Sequence, residues 1–286
     1  MLDNHALSGD HAASAGQRRT AEPVRPGQPA RDYTVAPYPG ERPAGSWVID
    51  QAKRCWPVVP DEGMPSGWAV LTGQAAPQCL DGWLTRQGAA PLAERVPVVS
   101  YGSNACPGKI LDNKTTLPSV NLACTMRGLA SVWCNGTRRS DGVVPVTLAA
   151  ASSPEYTETA VVAMADQSEL ARLDVVEGRF EKNSVYELQV LHTGSIELEN
   201  GARVPRPAAY VGARKTRWPL LVNGEQLLRV DADQDTAARL HAKAPASSPP
   251  VQIGIKVPFG TPLSPGECTP ALSSTERSCP ARPAGV

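Results

Sequence analysis

The chain has no excess of charge of either sign: its 286 residues carry 28 lysines plus arginines against 28 aspartates plus glutamates. No long-range field would steer it toward nucleic acid or an anionic membrane, and neither is expected as a partner. It also lacks any continuous apolar stretch long enough to span a bilayer. Its first residues, MLDNHALSGDHAASAGQRR, include Asp3 and Asp10 and no apolar run of signal-peptide length. The expectation is a soluble, cytoplasmic protein. Among seven cysteines (55, 79, 106, 124, 134, 268 and 279) there is no CxxC pair, and the odd number fits reduced thiols better than a disulfide framework. No GxSxG elbow, HExxH pair or paired-cysteine metal signature occurs. Gly102 to Lys109 fails as a P-loop, because its second glycine comes one residue late and Ile110 replaces the hydroxyl residue. DADQD at 231–235 fails as a calcium loop, with Thr236 where the turn glycine belongs and Ala242 where the bidentate glutamate belongs.

What is present divides the chain unevenly. Residues 1–45 hold six prolines and few large apolar side chains, too little to offset the entropy of ordering, and read as a disordered tail. Residues 46–95 carry Trp47, Trp56, Trp68 and Trp83, with WAVLTG as a strand and CLDGWLTRQ as a helix, and read as an extension packed on a core. From 96 to 213 the pattern clears into strand candidates PVVSYG, GLASVWCN, VPVTLAA, TAVVAMA, SVYELQVL and PAAYVGA. Helices are expected at 104–112 and 166–173. Residues 214–243 add a helix at 231–243, and 244–286 read as a proline-rich irregular tail in which VQIGIKV could dock as an edge strand. The fold class is α+β, with a sheet expected to close into a small barrel.

Two stretches carry chemistry. In VVSYGSNACPGK (98–109) a strand feeds a helix through a turn. Gly102 supplies conformational freedom there, and Ser103 or Asn104 supplies a helix cap. Successive backbone N–H groups in such a turn converge on one spot and hold carboxylate or carbonyl oxygens, although a plain capped turn has the same sequence. In ELARLDVVEGRFEKNSVYELQVL (169–191) a helix ends near Leu173, and Glu177 stands beside Gly178 before the next strand. Other polar groups offer competing readings. Cys106 near a helix start, with His192 as partner, could be a thiol nucleophile or simply a small buried residue. Arg214, Lys215 and Arg217 could bind a carboxylate or sit at a solvated strand end.

The combination resembles the γ-glutamylcyclotransferase-like superfamily, which includes the AIG2-like proteins. The residues that carry the likeness are Tyr101-Gly102-Ser103-Asn104, Val144-Pro145-Val146-Thr147-Leu148, Leu173-Asp174 with Glu177-Gly178, Tyr186, and Ala209-Tyr210, over roughly residues 96–213. The resemblance implies a small mixed β-barrel with flanking helices, and a loop backbone at Tyr101–Asn104 that holds a γ-glutamyl group. It also implies Glu177 as catalytic base and Tyr186 and Tyr210 near the pocket. Lactam closure of that kind requires no metal, nucleotide or redox cofactor, and the partner is a small γ-glutamyl compound. The chain departs from the family in Ala105-Cys106-Pro107-Gly108, where leucine commonly follows YGSN. This altered helix start and the long extensions leave open a binding module that keeps the pocket without turnover.

Overall fold

The computed structural model describes residues 21–243, 246–247 and 249–265. Valine- and alanine-rich runs bounded by glycine or proline form the strands. Those of three or more residues are β1 (Ser46–Ile49), β2 (Arg54–Pro60), β3 (Trp68–Val70), β4 (Val96–Ser100), β5 (Ser119–Arg127), β6 (Leu129–Trp133), β7 (Val146–Ala150), β8 (Thr157–Ala165), β9 (Tyr186–Leu191), β10 (Ser195–Leu198), β11 (Ala208–Gly212), β12 (Leu220–Val222) and β13 (Gly254–Lys256). The helices are α1 (Leu80–Arg86), α2 (Pro107–Asp112), α3 (Gln167–Glu177) and α4 (Gln234–Lys243).

The main sheet runs β13-β9-β11-β4-β8-β5-β1-β2-β3. Its β4–β11 pairing is parallel, whereas β8 pairs antiparallel with both β4 and β5. Strands β4 and β11 are buried along their whole length, which explains why both read as unbroken apolar runs instead of alternating ones. Residues 46–95 continue this sheet edge to edge, since Trp47 of β1 lies opposite Asn121 of β5. One apolar cluster accordingly joins Val48, Trp68 and Leu84 to Val99, Leu122 and Val211.

The fold is mixed α+β, as expected, and is dominated by one large mixed sheet for which no closed barrel is drawn by the strand pairing. Among the described residues the hydrogen-bonded path is open, and β6 and β7 make a separate hairpin. Side chains bridge the gaps instead of a backbone ladder. Ser131 N of β6 donates to Glu158 of β8 at 2.8 Å, and Gly212 N of β11 donates to Thr147 of β7 at 2.9 Å.

Four further expectations need correction. Residues 1–20 lie outside the described residues, but 21–45, read as disordered, pack against the protein. Val24, Ala30 and Tyr33 are buried in one cluster with Trp47, Ile49, Cys106 and Ile110. Helix α2 starts at Pro107 with Cys106 as its N-cap residue, so neither Ser103 nor Asn104 caps it; these two lie in a 3-10 turn over Ser103–Ala105. Helix α3 does not stop near Leu173 but runs to Glu177. The thiols of Cys55, Cys106, Cys124 and Cys134 are free, whereas Cys79 is disulfide-bonded, against the reading of all seven as reduced. No helix among the described residues is long and apolar enough to cross a membrane.

Candidate active site

Strand β4 delivers the Tyr101–Asn104 loop to one wall of a cavity of about 290 Å3, and the end of α3 delivers Glu177 to the same cavity. Each element is fixed locally. Asp166 caps α3 by accepting from Ser168 N and Glu169 N, both at 2.9 Å, while the Glu169 side chain accepts from Asp166 N at 3.1 Å. This reciprocal pair satisfies N–H groups that a helix start would otherwise leave unpaired. At the other end Gly178 adopts φ 63°, and Arg179 N donates to Asp174 O at 2.8 Å. This is a Schellman closure, which needs a residue free to enter the left-handed region. Glu177 is thereby the last helical residue, one position before the turn.

The loop is held from behind. Arg42 donates to the carbonyls of Tyr101 and Gly102, and the Tyr101 hydroxyl donates to the carbonyl of Tyr210. Among the described residues the backbone N–H groups of Ser103 and Asn104 have no protein acceptor, and both residues border the cavity. Gly102 has φ −100°, outside the left-handed region, so conformational freedom is not what calls for glycine there. Space is: a Cβ would stand 3.1 Å from the Tyr38 hydroxyl and 3.5 Å from Val146.

Asn104 and Glu177 meet across the cavity. The Asn104 amide donates to Glu177 Oε1 at 2.6 Å, and Asn113 donates to Asn104 Oδ1 at 3.1 Å, which fixes the amide's orientation. Burial pushes the Glu177 carboxyl above the ordinary carboxylate range. The Asn104 hydrogen bond and the charges of Arg138 and Arg217 act in the opposite direction. A carboxylate whose proton affinity is raised in this way is better suited to take a proton and give it back.

The predicted tyrosines line the cavity, but their hydroxyl protons are already engaged. Tyr186 donates to Val146 O at 2.9 Å, and Tyr210 donates to Asp174 at 2.7 Å. Asp174 is held in turn by Arg179 at 2.8 Å. Burial raises both phenols well above their usual range, so they stay neutral. Cys106 is not at the cavity; it is buried, its thiol is pushed up by burial, and it donates to Thr34 O at 3.5 Å.

Several cavity residues escaped the sequence reading. Tyr38 comes from the supposedly disordered segment. Its hydroxyl accepts from Val146 N at 3.1 Å, and its ring lies 6.0 Å from Trp133 and 5.1 Å from the Arg138 guanidinium. Lys109 and Arg138 supply positive charge, as does Arg217, for which carboxylate binding was one of two readings of the sequence. Nothing in the local sequence separates these cations from surface ones.

No protein-family model matches the chain, and no curated protein matches its sequence. Among solved structures it is similar to one described as a gamma-glutamyl cyclotransferase, at 18% identity and a TM-score of 0.35, covering 42% of this chain and 68% of that one. A second is a gamma-glutamyl cyclotransferase specific to glutathione from yeast, at 12% identity and a TM-score of 0.29, covering 42% of this chain and 69% of that one.

Proposed function

We propose that the protein is a γ-glutamylcyclotransferase-type enzyme that releases 5-oxoproline and an amine or amino acid from a γ-glutamyl compound. The observation that carries this reading is the placement of Glu177 against the Tyr101–Asn104 loop, in a shared cavity and within 2.6 Å of Asn104. Glu177 takes a proton from the substrate's α-ammonium group. The freed amine attacks the γ-carbonyl, and a C–N bond forms to close the five-membered lactam. The scissile C–N bond then breaks as a proton passes through Glu177 to the departing nitrogen. Ser103 N and Asn104 N are the donors placed to stabilise the developing oxyanion, because neither is committed to another acceptor. The attack is intramolecular, so much of the acceleration comes from folding the substrate into a reactive shape.

The test is Glu177→Gln, assayed for 5-oxoproline by mass spectrometry over a panel of γ-glutamyl peptides and amides. Turnover should fall by roughly 10²- to 10⁴-fold with the fold retained. An undiminished rate rejects Glu177 as base. Ligand binding by the wild type without lactam formation makes the protein a binding module instead, and amine release without 5-oxoproline makes it a hydrolase.

A further inference from the structure

Arg217 belongs to a stretch whose cations could equally have been solvated, yet it is buried, at 8% exposure, in the wall of the Glu177 cavity. Its backbone leaves little room for it to be anywhere else. The Arg217 carbonyl would lie 2.1 Å from a Cβ at Gly212, it accepts from the Cys134 thiol at 3.5 Å, and the next residue, Trp218, accepts from Asn135 N at 2.8 Å. The guanidinium lies 6.0 Å over the Tyr186 ring. Its Nη1 donates to the carbonyls of Thr216 and Thr137, at 2.9 and 3.4 Å. Its Nε is buried and has no acceptor.

Its charge reaches Glu177 across the cavity but has no carboxylate in contact. Among the cavity's cations Lys109 faces Asp112 at 3.9 Å and Arg138 faces Asp141 at 2.7 Å. Among the described residues no carboxylate lies within 4.0 Å of Arg217. A buried guanidinium with no carboxylate in ion-pair contact and an incomplete set of acceptors is an unfavourable arrangement unless something else completes it. Its planar fork matches a carboxylate, which it binds through two parallel hydrogen bonds.

We infer that Arg217 is the carboxylate-binding residue of this cavity, so that the substrate presents a carboxylate to it. This rests on the γ-glutamyl reading above and narrows it. The carboxylate has two possible sources: the α-carboxylate of the glutamyl group itself, or that of an amino acid released from it. Glu177 supplies chemistry, and Arg217 supplies orientation and selection.

Direct binding tests this without any turnover. Isothermal titration of the wild type compares 5-oxoproline with 2-pyrrolidinone, which differ in the carboxylate alone, and binding to the Glu177→Gln protein compares γ-glutamylglycine with γ-glutamylethylamide. In at least one pair the carboxylate-bearing ligand should bind more tightly by roughly tenfold or more. Preference in the first pair assigns the glutamyl carboxylate, and preference confined to the second assigns that of the leaving group. Arg217→Gln should erase the preference, and Arg217→Lys, which keeps the charge, should retain part of it. Equal affinity within both pairs overturns the inference from the wild-type and Glu177→Gln proteins alone, even if the Arg217 variants fold poorly. A carboxylate preference that survives in Arg217→Gln overturns it as well. Should Glu177→Gln keep full turnover while the preference is present and Arg217-dependent, the proposed reaction fails and the carboxylate site stands.

Discussion

Asn104 and Glu177, 73 residues apart in the chain, are joined by a 2.6 Å hydrogen bond that ties the loop after β4 to the last turn of α3. The bond stabilises the ionised form of Glu177 against burial. Removing it by Asn104→Ala therefore raises the Glu177 pKa further. A base must be ionised to accept a proton, so the acidic limb of the kcat/KM profile should shift to higher pH and the loss of rate should be greatest at low pH. Asn104→Asp should shift the limb further still, because it places a like charge beside the carboxylate. Rate profiles between pH 5 and 9 check this. An unmoved acidic limb in both variants means that Glu177 is not the titrating base.

Tyr38 brings a hydroxyl to Gly102 from the N-terminal segment. That oxygen already accepts from Val146 N, and its own proton has no acceptor among the described residues, which leaves it available to a ligand oxygen. Tyr38→Phe keeps the ring against Trp133, removes this donor, and leaves the buried Val146 N–H unpaired. Stability should drop by about 1–3 kcal/mol, read by urea denaturation. Affinity for 5-oxoproline should drop as well, read by titration. A loss of stability with unchanged affinity assigns Tyr38 a purely structural part.

Why Tyr38 escaped the sequence reading, when Glu177 did not, is a matter of where the information lies. The strands of residues 96–213 are legible because valine-rich runs end at glycines and prolines, while the helix stop is misplaced at Leu173 although the glycine of LDVVEG is what ends it. Residues 21–45 have the composition of a tail, and they are held by Val24, Ala30 and Tyr33, inserted into a cluster with Trp47, Cys106 and Ile110, and by backbone bonds from Gly27 and Ala30 to residues 53–55. No local pattern encodes that. Barrel closure is not legible in the sequence for a similar reason: it depends on register across the β6–β7 hairpin, where Glu158 and Thr147 accept from N–H groups of β6 and β11. Asn104 looked like a helix cap until Pro107 moved the helix start beyond it. Arg217 and Lys215 are alike as letters, and burial alone separates them.

The unusual ACPG sequence after the loop is explained by the same N-terminal segment. A Cβ on Gly108 would stand 2.2 Å from the Tyr33 carbonyl, so the segment seats on α2 only if residue 108 has no side chain. Gly108→Ala should displace residues 30–40, destabilise the fold by roughly 1–3 kcal/mol, and raise KM through Tyr38. Denaturation together with steady-state kinetics checks both effects. Full stability in this variant would mean that the segment does not bear on α2.

At the opposite end of α3 from Glu177, Arg95 is fully buried and donates to Glu169 at 2.8 Å and to the carbonyls of Met164 and Ala90, both at 2.9 Å. Burial raises the Glu169 carboxyl, and Arg95 opposes that rise. Arg95→Met leaves the carboxylate buried without its counter-ion and should cost about 3–5 kcal/mol. In this variant the folded state holds the Glu169 proton more tightly than the unfolded chain does. Its stability should therefore fall as pH rises above the ordinary carboxylate range, a slope that the wild type should show less steeply. Arg95→Met with Glu169→Leu removes both charges, and most of the loss should return with the pH slope abolished, although the capping contact to Asp166 N goes too. If the double variant is no more stable than the single one, the anchor at the start of α3 is the Glu169 cap and not the ion pair.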